Sequence, residues 1–204
     1  MSVEFLITAL IVILVPGTGV VYTVAVGLGK GRQAAIVAAV GCTLGIVPAM
    51  IASVVGLAAV MHSSALVFQA VKYAGVAYLF YLAWQTLKTS GPLDLKADQD
   101  TRKGGVATAR TACLINILNP KLTVFFLAFL PQFVSPTASN PTLELLMYGS
   151  VFMAMTFGVF AVYGLSAAHV GEKVLRSDRV MLWMRRTIAA TFAGFGLRLA
   201  LAEQ

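Results

Sequence analysis

The sequence predicts an all-α integral membrane protein: six transmembrane helices forming two inverted three-helix repeats, with helices 1 and 4 broken at midmembrane prolines. Three observations predict it. Of 204 residues, 59% are hydrophobic and only 11% charged, against about 25% charged in an ordinary soluble domain, and the mean hydropathy is +0.86. Charge-free runs cover Phe5–Gly29, Ala34–Val71, Leu122–Leu143 and Leu145–Gly171. Each reaches the roughly 20 residues that a helix needs to cross a hydrocarbon core of about 30 Å. Finally, the basic residues alternate between loops as a topology signal does. A water-soluble globule is excluded. Barrel strands would alternate polar and apolar residues, and these runs do not.

The expected spans are Phe5–Val26, Ala34–Met61, Ala65–Leu87, Thr111–Phe133, Thr142–Ala168 and Met181–Ala202. They make a single domain over residues 1–204: repeat one at about 1–88, a cytoplasmic linker at about 89–109, and repeat two at about 110–204. The N-terminus lacks the basic segment of a signal peptide and its apolar stretch outlasts one, so the first span is expected to remain in place. Of the 15 Lys and Arg residues, twelve lie between spans one and two (Lys30, Arg32), three and four (Lys88, Lys96, Arg102, Lys103, Arg110) and five and six (Lys173, Arg176, Arg179, with Arg185 and Arg186 in the first turns of span six). The positive-inside rule puts these loops in the cytoplasm and both termini outside. Topology accounts for the net charge of +7, so no nucleic-acid partner is expected.

Val15-Pro16 sits near the middle of span one and Asn119-Pro120 near the middle of span four. Three spans per half is an odd number, so the second half inserts upside down relative to the first. Each proline lacks an N–H, so the carbonyl four residues earlier, on Val12 or Asn116, loses its partner and the helix kinks or breaks. Gly17 and Gly19 flank Thr18 after the first proline, and Asn119 before Pro120 reads as a helix N-cap followed by proline at the first helical position. Backbone breaks at that depth are tolerated where they are buried in protein or line a wet cavity. Two half-helix starts near Gly17–Val20 and Pro120–Thr123 would hold a carboxylate, and freed carbonyls an ammonium. The pair suggests a site for a small zwitterion.

Polar stripes are expected to face the bundle interior: Thr18 with Tyr22, Tyr78 with Tyr81 and Gln85, Asn116 with Asn119 and Thr123, and Thr156 with Tyr163. Lys121 is costly, at about 2.5–3.5 kcal/mol for a lysine at a helix centre. It reads either as a substrate counter-charge or part of a coupling path, or as a long stem reaching capping carbonyls or water beside the break. The Gly41 and Gly45 pair permits close helix contact within the monomer or between subunits, so a homo-oligomer stays open. No acid lies deep in a span. Cys42 and Cys113 form no CxxC pair, and His62 and His169 have no ligand-like neighbour, so no metal site or cofactor is expected.

Val15-Pro16-Gly17-Thr18-Gly19, then Lys72-Tyr73-Ala74-Gly75-Val76-Ala77-Tyr78-Leu79-Phe80-Tyr81-Leu82-Ala83-Trp84, then Leu118-Asn119-Pro120-Lys121 continuing to Phe129-Leu130-Pro131-Gln132-Phe133 resemble the LysE/RhtB family of bacterial amino-acid exporters. The resemblance implies a six-span protein of the cytoplasmic membrane that expels amino acids or close derivatives on the proton gradient, with Pro16, Gly17, Asn119, Pro120 and Lys121 as signature residues. The family's usual Pro-Gly-Pro reads Pro16-Gly17-Thr18 here, a variation resembling the homoserine and threonine branch. Some relatives carry an acid in span five, where Met155-Thr156-Phe157-Gly158 has none.

The expectation is therefore an exporter, not an enzyme, that moves a neutral amino acid such as threonine or homoserine by alternating access. Its expected site residues are Pro16, Gly17, Thr18, Tyr22, Tyr78, Asn116, Asn119, Pro120, Lys121, Thr123 and Tyr163. Its partners are the amino acid, membrane lipid and, as a coupling ion, the proton. The competing readings are a thiol–disulfide electron relay, which the placement of Cys42 and Cys113 fits poorly, and an inorganic ion exporter, for which no ligand cluster is present.

Overall fold

A computed structural model describes residues 2–14, 17–61, 104–135 and 137–170, together with single positions between 73 and 88 and between 182 and 197. Among the described residues every regular element is helical. The linker at 89–103 and most of the expected third and sixth spans lie outside them, and so do Pro16 and Tyr78.

Helix α1 (Val3–Leu14) is almost wholly apolar. Ser2 starts it, its hydroxyl accepting from Phe5 N–H at 3.2 Å, and Glu4 places an acid in the first turn where the helix dipole favours one. It stops two residues short of Pro16. The chain re-enters a helix at Thr18, with Gly17 in an extended conformation as the cap. The first expected span is thus two half-helices.

Helix α2 (Thr18–Leu44) is helical except at Gly31, whose φ of 81° only glycine adopts without strain. There the chain reverses. Thr23 Oγ1 lies 3.8 Å from Cys42 Sγ, although a straight helix would separate residues 19 apart by about 28 Å. The legs before and after Gly31 therefore lie side by side, and Lys30-Gly31-Arg32 is the basic turn between the first two expected spans. After a short turn at Gly45 and Ile46 the second leg continues as α3 (Val47–Met61).

Helix α4 (Gly105–Ile117) and helix α5 (Pro120–Val124) flank the second break. From α5 the chain runs through a π-helical turn at Phe125–Phe129 and a 3-10 turn at Leu130–Phe133. The two sides of this break meet at a bend of 51°, and together they are long and apolar enough to cross a membrane. Ser53, from α3, donates to the carbonyl of Phe126 within the π-turn. Helix α6 (Pro141–Val170) begins with proline at its first position and is capped by Asn140, whose Oδ1 accepts from Leu143 N–H at 3.0 Å. Its stretch Pro141–His169 is also long and apolar enough to cross a membrane.

Close backbone approach holds α2 against α4 and α6. A Cβ on Gly27 would strike the carbonyl of Gly164, one on Gly41 the carbonyl of Ala109, and one on Gly45 would sit 2.5 Å from the carbonyl of Cys113. The Gly41 and Gly45 pair is thus spent on a contact inside the monomer. α1 attaches differently, through apolar packing: the Phe5 ring centroid stands 4.6 Å from that of Tyr148 and 5.4 Å from that of Phe133.

Candidate functional site

The two helix breaks meet. Gly17 and Lys121 approach so closely that a Cβ on the glycine would lie 3.2 Å from Lys121 Nζ and 3.6 Å from Asn119 Nδ2. Around this point Val12, Ile13, Gly17, Gly19, Asn116, Asn119, Lys121, Leu122, Phe152, Thr156 and Phe160 line a cavity. The space measures about 10 Å³ by the volume open to a water's centre, room for about one water. An amino acid is several-fold larger, so admitting one requires the elements around the cavity to part.

A chain of buried hydrogen bonds organises the polar side. Asn116 Nδ2 donates to the carbonyl of Cys42 at 2.7 Å. Asn116 Oδ1 accepts from Asn119 Nδ2 at 3.2 Å, and Asn119 Oδ1 accepts from the backbone N–H of Lys121 at 3.1 Å. Lys121 Nζ then donates to the carbonyl of Val12 at 3.0 Å. This carbonyl is the one that Pro16, four residues on, cannot serve. Lys121 is only 8% exposed, so its charge is delivered to the meeting point of the two halves. Tyr163, from α6, donates its hydroxyl to Leu14 at 2.9 Å. Two carbonyls at the end of α1 are thus capped by side chains from the second half of the chain.

The breaks are not equivalent, which corrects the sequence reading. At the second break the N–H groups of Leu122 and Thr123 return to the carbonyl of Asn119 and that of Lys121 goes to its side chain, so Lys121 to Thr123 offer no free backbone donor to an anion. Nor is the Asn116 carbonyl released, since it accepts from Asn119 N–H at 3.1 Å. At the first break Gly17 has no side chain with which to cap α2, and the first turn of that helix lacks intrahelical partners for its N–H groups. The donors that reach the cavity at the second break belong to side chains, Lys121 above all.

Of the expected residues, Gly17, Asn116, Asn119 and Lys121 converge here. Thr18 and Thr123 do not: both are exposed, and Thr123 Oγ1 turns back to the Asn119 carbonyl at 3.5 Å. For Thr123 the reason is that the break resets the helical phase, so a stripe counted across it from Asn116 does not stay on one face. Pro120 is exposed at the first position of α5. Tyr22 faces α4, its hydroxyl donating to the Thr108 carbonyl at 3.4 Å, and Tyr163 acts on α1 from outside the cavity lining. The expected site residues did not include Phe152, Thr156 or Phe160, although Thr156 stood in a stripe expected to face the interior. Their spacing of four places all three on one face of α6, a usable signal. Thr156 donates to the Phe152 carbonyl at 2.8 Å, so its oxygen is left to the cavity as an acceptor.

The chain is similar to known proteins along nearly its whole length. The sequence profile of the family described as LysE type translocator matches residues 10–203. An uncharacterized membrane protein of Vibrio cholerae is 32% identical, covering 98% of this chain and 96% of its own. The homoserine/homoserine lactone efflux protein of Salmonella typhimurium is 28% identical, covering 98% and 95%. The leucine efflux protein of the same organism is 25% identical, covering 96% and 92%. No solved structure matches the chain.

Proposed function

We propose that this chain, which belongs to the LysE type translocator family, exports neutral amino acids across the bacterial cytoplasmic membrane by alternating access, drawing on the proton gradient. The observation that carries the reading is the meeting of two broken helices around Lys121, Asn119, Asn116 and Gly17. Relatives named for homoserine and leucine efflux support it. The whole chain forms one domain of six spans in two inverted repeats, with both termini outside, in keeping with the alternating basic loops.

The chemistry of the site fits a zwitterion. Lys121 supplies a positive charge for the carboxylate, assisted by the start of α2 at Gly17. The ammonium takes carbonyls at the end of α1, together with the Thr156 oxygen. Ile13, Leu122, Phe152 and Phe160 surround the substrate side chain with apolar surface. That wall, and the absence of any carboxylate from the cavity lining among the described residues, favour a neutral side chain over a basic one. A cavity of this size admits no amino acid while these elements stay together, and separation of α1 from α5 opens it to one side at a time.

Uptake of labelled amino acids into inverted membrane vesicles, with and without an imposed pH gradient, tests the reading. Accumulation of a neutral amino acid that collapses with the gradient is expected. Failure to move any amino acid in a broad panel, from a well-inserted protein, removes it. A reporter active only outside the cell, fused to the C-terminus, should be active; a silent fusion overturns the orientation.

A further inference from the structure

Lys121 holds a carbonyl that the proposed substrate also needs. Pro16 strips Val12 of its amide partner, and Lys121 Nζ fills that role at 3.0 Å. The ammonium of an amino acid entering the cavity seeks the same oxygen, because the end of α1 concentrates negative partial charge there. Lys121 is itself a primary alkylammonium on a flexible stem, chemically the same headgroup as the ligand's.

We propose that Lys121 is an exchangeable latch: its ammonium occupies the substrate's ammonium seat on Val12, and a zwitterion releases it by bringing both a replacement cation and an anion to receive it. The proposal rests on the amino-acid reading of the site. It explains selection for α-amino acids without a dedicated acid in the cavity. A simple amine that displaces Lys121 from Val12 brings no anion to receive the lysine charge. A simple carboxylate that draws Lys121 away leaves the Val12 carbonyl unsatisfied. Each half-substrate thus compensates only one of the two groups it parts, whereas the zwitterion compensates both. The same exchange couples loading to movement, since the latch joins the end of α1 to α5 and its release frees the two elements to part.

The test compares binding of leucine with 3-methylbutylammonium, and of threonine with protonated 1-amino-2-propanol, by ligand-dependent shifts in melting of the purified protein. Wild type should bind each amine about tenfold or more weakly than its amino acid, the factor a hydrogen bond to a charged group commands. In Lys121→Met, which keeps the stem, and in Lys121→Ala, the amines should gain about tenfold or more while the amino acids lose affinity. Unchanged amine affinity alongside weakened amino acids means a fixed counter-charge and overturns the latch. So does wild-type protein that binds amine and amino acid equally, a result independent of whether the variants fold. Wild type that binds neither amino acid counts against the exporter reading, and the amine gain in the variants then still reports on the latch.

Discussion

Lys121 and Val12 are joined at 3.0 Å across 109 residues of chain, by a lysine from the second helix break and a carbonyl freed by the first. Each break completes the other: one releases an acceptor inside the bilayer, and the other brings the charge that satisfies it. A lysine at that depth is tolerated because it finds a backbone partner already in place.

Gly19→Ala should damage transport far more than Gly17→Ala. A Cβ on Gly19 would stand 2.5 Å from Asn116 Oδ1 and 3.0 Å from Phe160, both held in place, whereas a Cβ on Gly17 meets the flexible end of Lys121 at 3.2 Å. Overpacking costs about 1–3 kcal/mol; taken from the binding arrangement, that is about tenfold or more in transport rate. Initial rates normalised to inserted protein measure it. Equal rates in the two variants would mean that Asn116 is free to move.

Asn119→Ala should lower thermal stability by about 1 kcal/mol through loss of the cap on α5, and should lower transport by more than that loss explains. Asn119→Ser restores a capping oxygen but is too short to reach Asn116 Oδ1. Its stability should return while transport stays low, as melting and uptake measured on the same preparation would reveal. Pro120→Ala is expected to fall into the same class, inserted but slow.

Replacing both Cys42 and Cys113 by alanine or serine should leave transport nearly intact. Cys42 is buried, its thiol directed at carbonyls of Gly19 and Ala112 at 3.7 Å, a packing role that serine fills. Loss of function in the double variant, with normal insertion, would revive the electron-relay reading.

Ser53→Ala should lower stability by about 1–3 kcal/mol, because it leaves the Phe126 carbonyl buried without its donor. The deficit is read as a lower melting midpoint in detergent. An unchanged midpoint would show that the π-turn satisfies that carbonyl unaided.

Much of this site was legible from two dipeptides. Val15-Pro16 and Asn119-Pro120 marked the breaks because proline withdraws a donor wherever it stands, and asparagine before proline is a cap by local chemistry alone. Lys121 declared itself by its cost in a membrane. What each group touches was not legible: nothing near Lys121 in the chain names Val12, and only folding brings the two breaks together. Thr123 was misplaced because a helical count assumes an unbroken helix. The self-sealing of the second break escaped notice for a related reason, since Asn119 uses both its side chain and its carbonyl on the turn it starts. Gly31 was legible only as part of a basic loop; its positive φ belongs to the reversal itself.

The glycine seams divide the molecule mechanically. Where Gly27 lies against Gly164 and Gly41 against Ala109, main chain rests on main chain, with no side chains between to reorient. Such joints resist sliding and spreading alike. The short N-terminal helix has no joint of that kind in the contacts described, only rings and hydrogen bonds that can be exchanged one for another. A stiff chassis and a removable bolt are thus built from the same ribbon, and changes of cargo can accumulate around the bolt without loosening the chassis.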